Sequence, residues 1–513
     1  MFKKIPNKEG SNKKCQNDIH SRSEIFSNTK PFLQISEELG DQKNTISNEE
    51  DCEKILDYIG NYNPYSMFIM TTMSVLWGLA AMNLMISAFV VDPTYTKDLP
   101  NNIIIEFDLK NERAYLADMF SSSFMIGSVV GGAIIPIFAD YYGRKSNVAW
   151  STLITGVSGC LIAFVNKYYL VVILRFLQGL AFNGIISTNW VLSYECVTVK
   201  VRSYSALIFG VVWVVGYCVI GPLAYYFTNW RHLCIAAASP SILFSFVVFL
   251  TIPESLGFLI MKKDFEGIKN WITKCKTFCK KCGNYEFPNI DNLLENLHNH
   301  VDVKNIEEEK KDVSMIKRLK NIITNKKLLI IQLIIFAFIW TTDNIIYFAL
   351  SFFSTNLSGN IYINYVLSGL IECPSYLVVP LFLEYLGRRG LTFSMHLISS
   401  IALFLGIIIS EENNIIYLLI WLTGKFCISC TFTSLFVYGS EIFPTSSRNI
   451  SLGFCGIVSR FGGVLVPYTK SLDFLYPKLS ILLYASITFF AALISLVLPE
   501  TGKIKKMIIL ILI

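Results

Sequence analysis

Residues 138–145 read Phe-Ala-Asp-Tyr-Tyr-Gly-Arg-Lys, and residues 382–389 read Phe-Leu-Glu-Tyr-Leu-Gly-Arg-Arg. Two further short motifs recur at the same spacing of about 245 residues, namely Glu195 with Arg202 as Glu441 with Arg448, and Pro253-Glu-Ser as Pro499-Glu-Thr. Chance rarely places three short motifs at one common spacing. The repeat therefore predicts a duplicated structural unit.

The sequence around these motifs is strongly apolar. Of its 513 residues, 53% are hydrophobic and only 16% are charged. One or two soluble cores cannot bury that much apolar surface, so part of the chain is expected to lie in lipid rather than to form a soluble enzyme. The net charge of +6 is too small and too unevenly placed to indicate a nucleic-acid-binding protein.

Twelve apolar segments follow one another along the chain, each near the roughly 20 residues that a bilayer core requires. The first six predicted spans are 67–91, 115–138, 148–165, 169–190, 206–227 and 233–252. The second six are 328–351, 361–383, 391–409, 415–438, 452–467 and 479–498. The two sets of six match the repeat.

Six crossings return the chain to its starting side, so the two halves should have the same orientation. Cations such as Arg144 and Arg388 fall on one side, and the positive-inside rule assigns that side and both termini to the cytosol. We therefore predict an all-α membrane protein with twelve transmembrane helices. Its predicted parts are a polar cytoplasmic tail 1–61, a six-helix bundle 62–252, a central cytoplasmic loop domain 253–327, a second six-helix bundle 328–498 and a short tail 499–513.

The tail 1–61 is polar and lacks the pattern of a cleaved signal peptide. Cys52, Ile55, Leu56 and Ile59 would share one face of a short amphipathic helix. A disordered tail explains the same composition equally well.

The repeated motifs suggest a gate. A helix must stop at Gly143, turn and leave Arg144 and Lys145 outside the lipid. The nearby acid can pair with a base in a contact that breaks as the halves move, although topological anchoring of the loop explains a single copy as well. Glu195 with Arg202, and Glu441 with Arg448, are expected to clasp the ends of the fourth, fifth, tenth and eleventh helices. The predicted gating residues are Asp140, Gly143, Arg144, Lys145, Glu195, Arg202, Glu384, Gly387, Arg388, Arg389, Glu441 and Arg448.

Polar and aromatic stripes at bilayer depth suggest a substrate cavity. The stripes lie on the fourth, seventh and eighth helices, and their candidate binding residues are Asn183, Trp340, Tyr347 and Tyr365. Aromatic walls can hold ammonium groups by cation–π contact, but such stripes also form ordinary helix-packing seams.

Among the charged residues, Glu372, Lys425 and Arg460 lie within or close to the apolar segments. A charge at this depth costs at least about 2.5 kcal/mol on insertion scales, so each needs a partner or a wet cavity. They complete the predicted substrate-binding set. An internal ion-pair network that only holds helices together is the alternative.

Several longer runs have a distinctive pattern. They are Tyr347-Phe-Ala-Leu-Ser, Asn356-Leu-Ser-Gly-Asn360, Glu372-Cys-Pro374, Leu386-Gly-Arg-Arg389, Gly424-Lys-Phe426, and Ser440-Glu-Ile-Phe-Pro-Thr445 with Arg448-Asn449. Together they resemble the organic cation/anion/carnitine transporter family of the major facilitator superfamily. The resemblance extends from Glu106 to Glu500, and it implies the major facilitator fold and a secondary transporter that works by alternating access.

The resemblance also implies something about substrate charge. Cation-selective members carry Asp at the position of Arg460, anion and carnitine members carry Arg there, and Lys425 lies where the family also has a base. Two positive charges against Glu372 favour an organic anion or a carnitine-like zwitterion. An organic cation transporter is the alternative, and a sugar porter or a non-transporting, receptor-like membrane protein is less favoured.

The predicted partners are a small organic ion and the lipid bilayer, with no nucleic acid. The resemblance implies the plasma membrane, although the first outer loop is short and lacks the family's cysteines. Asn356-Leu-Ser358 is a sequon that predicts an N-glycan at Asn356.

No cofactor, metal or catalytic site is predicted. No Walker-type loop or paired catalytic arrangement is found in the sequence. Cys427 and Cys430 are interpreted as packing residues. The central segment carries five residues that fit no common zinc spacing and are expected in a solvated loop, namely Cys275, Cys279, Cys282, His298 and His300.

Overall fold

The computed structural model describes residues 52–60, 62–91, 102–110, 113–282, 327–409, 414–444 and 447–502. Helices lie at all twelve predicted positions, and we label them α1 to α12 in chain order. The first six are α1 Pro64–Met85, α2 Ala114–Tyr142, α3 Arg144–Ile162, α4 Tyr168–Asn183, α5 Val199–Tyr226 and α6 Trp230–Thr251. The second six are α7 Lys327–Phe352, α8 Ile361–Leu370 with Glu372–Tyr385, α9 Gly387–Ile408, α10 Asn414–Ile442, α11 Arg448–Thr469 and α12 Leu479–Ser495.

Ten helices in the described part of the chain are long and apolar enough to cross a bilayer. Of the other two, α12 is apolar but has only 17 residues, and α3 begins with the polar run Arg-Lys-Ser-Asn. The prediction of an all-α, multi-pass membrane protein is therefore confirmed. For α3 and α12, crossing of the bilayer stays a prediction.

The two halves repeat one packing pattern. In the first half α2 packs on α4, α3 on α6 and α1 on α5. In the second half the corresponding pairs α8 and α10, α9 and α12, and α7 and α11 pack in the same way. Each helix thus has its counterpart six helices later, as the sequence repeat predicts.

Glycines allow the closest helix contact in the first half. A side chain on Gly179 of α4 would collide with the backbone of Phe124 on α2, and one on Gly127 would collide with the backbone of Phe176. Small residues let membrane helices approach until their backbones touch, which favours dispersion contacts where the hydrophobic effect is weak.

Two spanning helices are irregular beside polar residues. α4 continues past Asn183 through a π-helical turn, Gly184–Thr188, into the helix Asn189–Glu195. α8 is interrupted at Ile371, so that Glu372 opens its second segment. Irregular turns of this kind re-aim side chains and are frequent at functional sites.

The structure contains two further helices before and after the first six, and the second of them packs on α1. Residues 52–59 are helical, and the predicted apolar face of Cys52, Ile55, Leu56 and Ile59 is buried. The helix Phe265–Cys282 buries Trp271 against Tyr65 of α1, with ring centroids 5.6 Å apart. Residues 1–51, 283–326 and 503–513 lie outside the described residues, and so does the alternative of a disordered N-terminal tail.

The solvated-loop prediction for Cys275 and Cys279 is wrong. Both side chains are fully buried, and both thiols contact the Asn63 amide at the start of α1. They share the apolar face of an amphipathic helix with Trp271, which the polar composition of the segment concealed. Burial, followed by the neighbouring Cys279, raises the pKa of the Cys275 thiol, so it stays protonated. His298 and His300 lie outside the described residues.

The two halves meet along α2 with α11 and along α5 with α8. We call the end that carries residues 138–145 and 382–389 the motif end, and the opposite end the far end. At the far end the halves are in contact through Phe89 with Tyr365, through Thr355 with Ala88, and through Ser122 with Val464. Towards the motif end, a Cβ placed on Gly453 or Gly456 of α11 would have no neighbouring atom within 4 Å in the described structure. The boundary between the halves is therefore closed at the far end and open beside α11 at the motif end.

Candidate functional site

A buried ion pair joins α10 to α8 near the middle of the second half. Lys425 Nζ lies 2.9 Å from Glu372 Oε1, and neither side chain is more than 1% exposed. Lys425 also donates a hydrogen bond of 2.6 Å to the hydroxyl of Ser351 on α7. Each charge thus has the partner that its depth requires.

Aromatic side chains enclose this pair and connect it to the first half. Lys425 Nζ lies 3.4 Å from the ring centroid of Tyr347, whose hydroxyl donates to Glu372 Oε2 at 3.1 Å. Trp213 of α5 donates from its indole nitrogen to the same hydroxyl at 2.9 Å. Tyr217, also on α5, stacks on Tyr365 with centroids 4.6 Å apart. The ion pair therefore lies at the boundary that must rearrange if the halves move.

Arg460 lies apart from this network. Its guanidinium contacts Gly132 of α2 so closely that a side chain on that glycine would collide with Nη1. Asn183 approaches the same glycine, and its buried Oδ1 has no hydrogen-bond partner. Within the described residues Arg460 has no hydrogen-bond or ion-pair partner. It lies on the α11 face that continues, towards the motif end, past the open space at Gly456 and Gly453.

The structure thus separates the predicted binding residues into three groups. Glu372, Lys425, Tyr347 and Tyr365 form one cluster, and Arg460 with Asn183 forms a second. Trp340 packs edge-on against Phe336 and Phe436 in a third, aromatic cluster. Glu372, Lys425 and Arg460 do not form a single ion-pair network, because Lys425 pairs with Glu372 and Arg460 lies apart from both.

The motif of the first half forms a clasp around one glutamate. Gly143, with a φ of 100°, ends α2, and Glu254 Oε1 accepts hydrogen bonds from the backbone N–H groups of Arg144 and Lys145. The Arg144 guanidinium pairs with Glu195. Ser255 donates to the same Glu195 carboxylate at 2.8 Å.

The second half repeats the clasp with its own residues. Gly387 has a φ of 73°, and Glu500 accepts from the backbone N–H groups of Arg388 and Arg389. The Arg388 guanidinium forms two hydrogen bonds to Glu441, of 2.9 and 2.8 Å. Thr501 donates to Glu441 at 2.6 Å, as Ser255 does to Glu195.

Two predicted pairings within the gate are wrong. Arg202 pairs with Glu53 at 2.8 Å and stacks on Tyr194 instead of pairing with Glu195. Arg448 has no ion-pair partner within the described residues, because Glu441 is taken by Arg388. Glu195 and Glu441 each pair with the arginine of the repeated motif in their own half. In the fold this arginine lies nearer to the glutamate than the arginine seven residues further along the chain.

Two other predicted gate residues have exposed acidic side chains. Asp140 is 69% exposed and lies 4.0 Å from Arg144, while Glu384 is exposed at the corresponding position. The sequence prediction missed Glu254 and Glu500 as part of the clasp. Their signal was the repeated Pro-Glu-Ser and Pro-Glu-Thr triplets, which the repeat analysis found without assigning them a contact.

A second buried pair was also missed. Asp343 on α7 lies with its Oδ1 2.9 Å from Nε2 of His396 on α9, and both side chains are fully buried. An aspartate and a histidine inside two apolar segments were the available signal, but neither belongs to a repeated motif.

Two six-helix halves of one orientation, packed across an opening that is closed at one end, define a major facilitator transporter. The family model described as "Sugar (and other) transporter" matches residues 78–504. This chain belongs to that family, and it is an integral, multi-pass membrane protein.

Relatives differ in the substrates that their names give. A Caenorhabditis elegans protein whose name proposes a transport function is 32% identical, covering 90% of this chain and 91% of its own. The organic cation transporter protein of Drosophila melanogaster is 28% identical over 78% of this chain and 72% of its own. Mouse organic anion transporter 3 is 26% identical over 78% and 73%.

A solved structure supports the fold. The xylose transporter XylE of E. coli, in a partially occluded inward-open conformation, aligns with a TM-score of 0.62 and 18% identity over 87% of this chain and 99% of its own. At this identity the similarity concerns the fold alone.

Proposed function

We propose that this transporter moves small organic anions or zwitterions by alternating access, as a secondary carrier. The observation that supports this most is the unpaired guanidinium of Arg460 at the boundary between the halves. Lys425 and Glu372 cancel each other's charge, so among the described residues Arg460 gives that boundary a positive charge without an ion-pair partner. A carboxylate or sulfonate matches a guanidinium in charge and in its forked geometry.

Asn183 and the open face of α11 extend this candidate site. The unpartnered Oδ1 of Asn183 can accept a hydrogen bond from a hydroxyl or ammonium group of a bound solute. The open space beside Gly456 and Gly453 supplies a route from Arg460 to the motif end. If the motif end is cytoplasmic, as the positive-inside rule predicts, this arrangement faces inward.

A cation carrier is the second candidate, because one relative is named for organic cations. The aromatic cluster around Tyr347 is the place where an ammonium group would bind. That position is already occupied by the ammonium of Lys425, 3.4 Å from the ring centroid. The geometry therefore favours an anionic group at Arg460 over a cationic one at Tyr347.

The predicted location and modification belong to the same proposal. They are the plasma membrane, cytoplasmic termini and an N-glycan at Asn356. The Asn356 side chain is half-buried at the end of the turn Phe353–Asn356. A loss of apparent mass after enzymatic deglycosylation, absent in Asn356→Gln, would establish the glycan and place that loop outside the cell.

Uptake in cells expressing the protein tests substrate charge. We expect wild type to take up labelled carnitine or benzenesulfonate in preference to tetraethylammonium. Arg460→Asp should lower uptake of the anionic solutes by about tenfold or more, since a hydrogen bond to a charged group contributes about 1.5 to 3 kcal/mol. Its preference should shift towards tetraethylammonium.

Arg460→Lys is the matched control, because it keeps the charge while removing the fork. It should retain the preference for anionic solutes with weaker binding. A wild type that prefers tetraethylammonium, or an Arg460→Asp variant with unchanged preference, contradicts the proposal.

A further inference from the structure

The Asp343–His396 pair lies inside the second half, outside both the clasps and the Arg460 site. Asp343 Oδ1 contacts His396 Nε2 at 2.9 Å and also accepts a 2.9 Å hydrogen bond from Thr431 of α10. The two side chains are completely buried at positions within α7 and α9. A buried ionisable pair inside membrane helices is costly unless it serves the fold or the function.

The hydrogen bonds fix how many protons this pair holds. His396 Nδ1 lies 2.7 Å from the carbonyl oxygen of Thr392, and a carbonyl only accepts, so Nδ1 carries a proton. Nε2 lies 2.9 Å from Asp343 Oδ1, a distance at which two unprotonated lone pairs would repel each other, so one further proton lies between them. In this state the pair is neutral overall, either as imidazolium with carboxylate or as imidazole with carboxylic acid.

Asp343 Oδ2 is the place for one more proton. This oxygen is buried, and it has no hydrogen-bond partner in the described structure. Protonation at Oδ2 gives a neutral carboxylic acid beside an imidazolium, so the pair gains one positive charge. A buried positive charge is disfavoured by itself, but an anion bound nearby stabilises it.

Other ionisable groups nearby do not supply that anion. Among the described residues, the buried or half-buried ionisable groups on α7 and on the helices packed against α7 and α9 include Tyr347, Glu372, Tyr376, Lys425, Cys427, Cys430, Cys455, Arg460 and Tyr484. None of them is a contact of Asp343 or His396, and Glu372 is already neutralised by Lys425. A bound anionic solute is therefore the charge that can balance an added proton.

The Asp343 proton site and the Lys425–Glu372 cluster share helices α7 and α10. Asp343 is one turn from Tyr347 on α7, and Thr431, its hydrogen-bond partner, follows Lys425 on α10. Changes at the proton site therefore act on the two helices that hold the cluster facing the first half.

We propose that Asp343, with His396, is a proton-binding site that couples the movement of an organic anion to a proton travelling in the same direction. The proposal rests on the anion transport proposed above. Each cycle carries one proton on Oδ2 together with one solute anion, and releases both on the other side.

Purified protein in lipid vesicles tests the coupling. The probe is labelled benzenesulfonate, which stays ionised and does not cross lipid as a neutral acid. With the membrane potential clamped at zero, an acidic exterior should drive accumulation inside, up to about tenfold per pH unit for one proton per solute. Asp343→Asn should abolish this accumulation while retaining exchange of internal for external benzenesulfonate at equal pH.

Asp118→Asn is the matched control, since Asp118 is a half-buried carboxylate on α2 in the other half. It should keep the response to the pH gradient. Gradient-driven accumulation that persists in Asp343→Asn, disappears in Asp118→Asn, or follows sodium instead of protons would overturn the proposal.

An infrared titration separates failure of this proposal from failure of anion transport. Difference spectra between acidic and neutral pH should show one carbonyl band of a buried, protonated carboxylic acid that wild type and Asp118→Asn share and that Asp343→Asn lacks. This measurement needs no substrate. An Asp343→Asn spectrum that keeps every carboxylic-acid band of wild type refutes the proton site. Absent benzenesulfonate transport with the expected loss of one band refutes only the transport proposal.

Discussion

The clasps at the motif end and the interiors of the two halves differ in how far the repeat extends. Each clasp uses a glutamate to cap the following helix and a second glutamate to pair with the motif arginine, in the first half Glu254 and Glu195 and in the second Glu500 and Glu441. These contacts correspond one to one. The mechanical part of the molecule is therefore symmetric.

The interiors are not symmetric. In the first half Arg175 is fully buried and donates to neutral groups on Asn83, Gln178 and Ser87, while its guanidinium also contacts the Phe120 ring. In the described residues of the second half, Lys425 pairs with Glu372 and His396 with Asp343. Within the part of the chain that the structure describes, fully buried charge pairs occur only in the second half. This indicates that the second half holds the ionic chemistry and that the first half mainly provides the opposing wall.

Among variants that compare the interiors of the two halves, breaking the Lys425–Glu372 pair should have the largest effect on stability and uptake. Lys425→Ala leaves Glu372 buried without a counter-charge, and we expect it to lower the free energy of unfolding by about 3 to 5 kcal/mol and to abolish uptake. Thermal unfolding in detergent and carnitine uptake would measure the two effects. Arg175→Gln in the first half loses hydrogen bonds to neutral acceptors but leaves no opposite charge buried without a partner, so it should cost less.

The double variant Lys425→Met/Glu372→Leu separates stability from function. Removing both charges should restore much of the unfolding free energy, because paired burial contributes little net stability. Uptake should stay absent. Restored transport would mean that the pair only holds helices together.

Alanine at the two motif glycines compares the clasps themselves. Gly143 has φ 100° and ψ 149°, a conformation that side chains almost never adopt, and a Cβ there would lie 2.5 Å from Glu254 Oε2. Gly143→Ala should cost about 1 to 3 kcal/mol in unfolding free energy. A Cβ at Gly387 would collide in a similar way, 2.6 Å from Glu500 Oε2, but φ 73° is nearer the left-handed helical region, so Gly387→Ala should cost less. Equal shifts in unfolding temperature would show that backbone strain does not set the difference.

The smallest expected effect is at the two repeated arginines that follow the clasps. Arg202→Ala loses the pair with Glu53 and should cost less than about 1 kcal/mol, since Glu53 is partly exposed. Arg448→Ala loses no ion pair seen in the described residues and should cost still less. Unfolding temperatures of both variants would measure the two costs, with Glu53→Gln as the control for the partner of Arg202. A larger decrease for Arg448→Ala than for Arg202→Ala would contradict the prediction.

Much of the fold followed from local rules. Helices at all twelve positions were predictable because a bilayer sets the length of an apolar segment, and the clasps were predictable in outline because Gly143 and Gly387 end helices beside loop cations. The buried face of residues 265–282 was not predicted, because charged residues on its other face made the segment read as a solvated loop.

The sequence alone determined the membrane class, the two halves, and the position of Glu372, Lys425 and Arg460 within apolar segments. Only the tertiary structure decided that Lys425 is neutralised by Glu372 while Arg460 is not, that Arg202 pairs with Glu53, and that Asp343 meets His396. The physical reason is that segment length and hydropathy are summed along the chain, whereas an ion pair depends on a few ångströms between helices distant in sequence. Two residues become partners only after packing has chosen which helix faces meet.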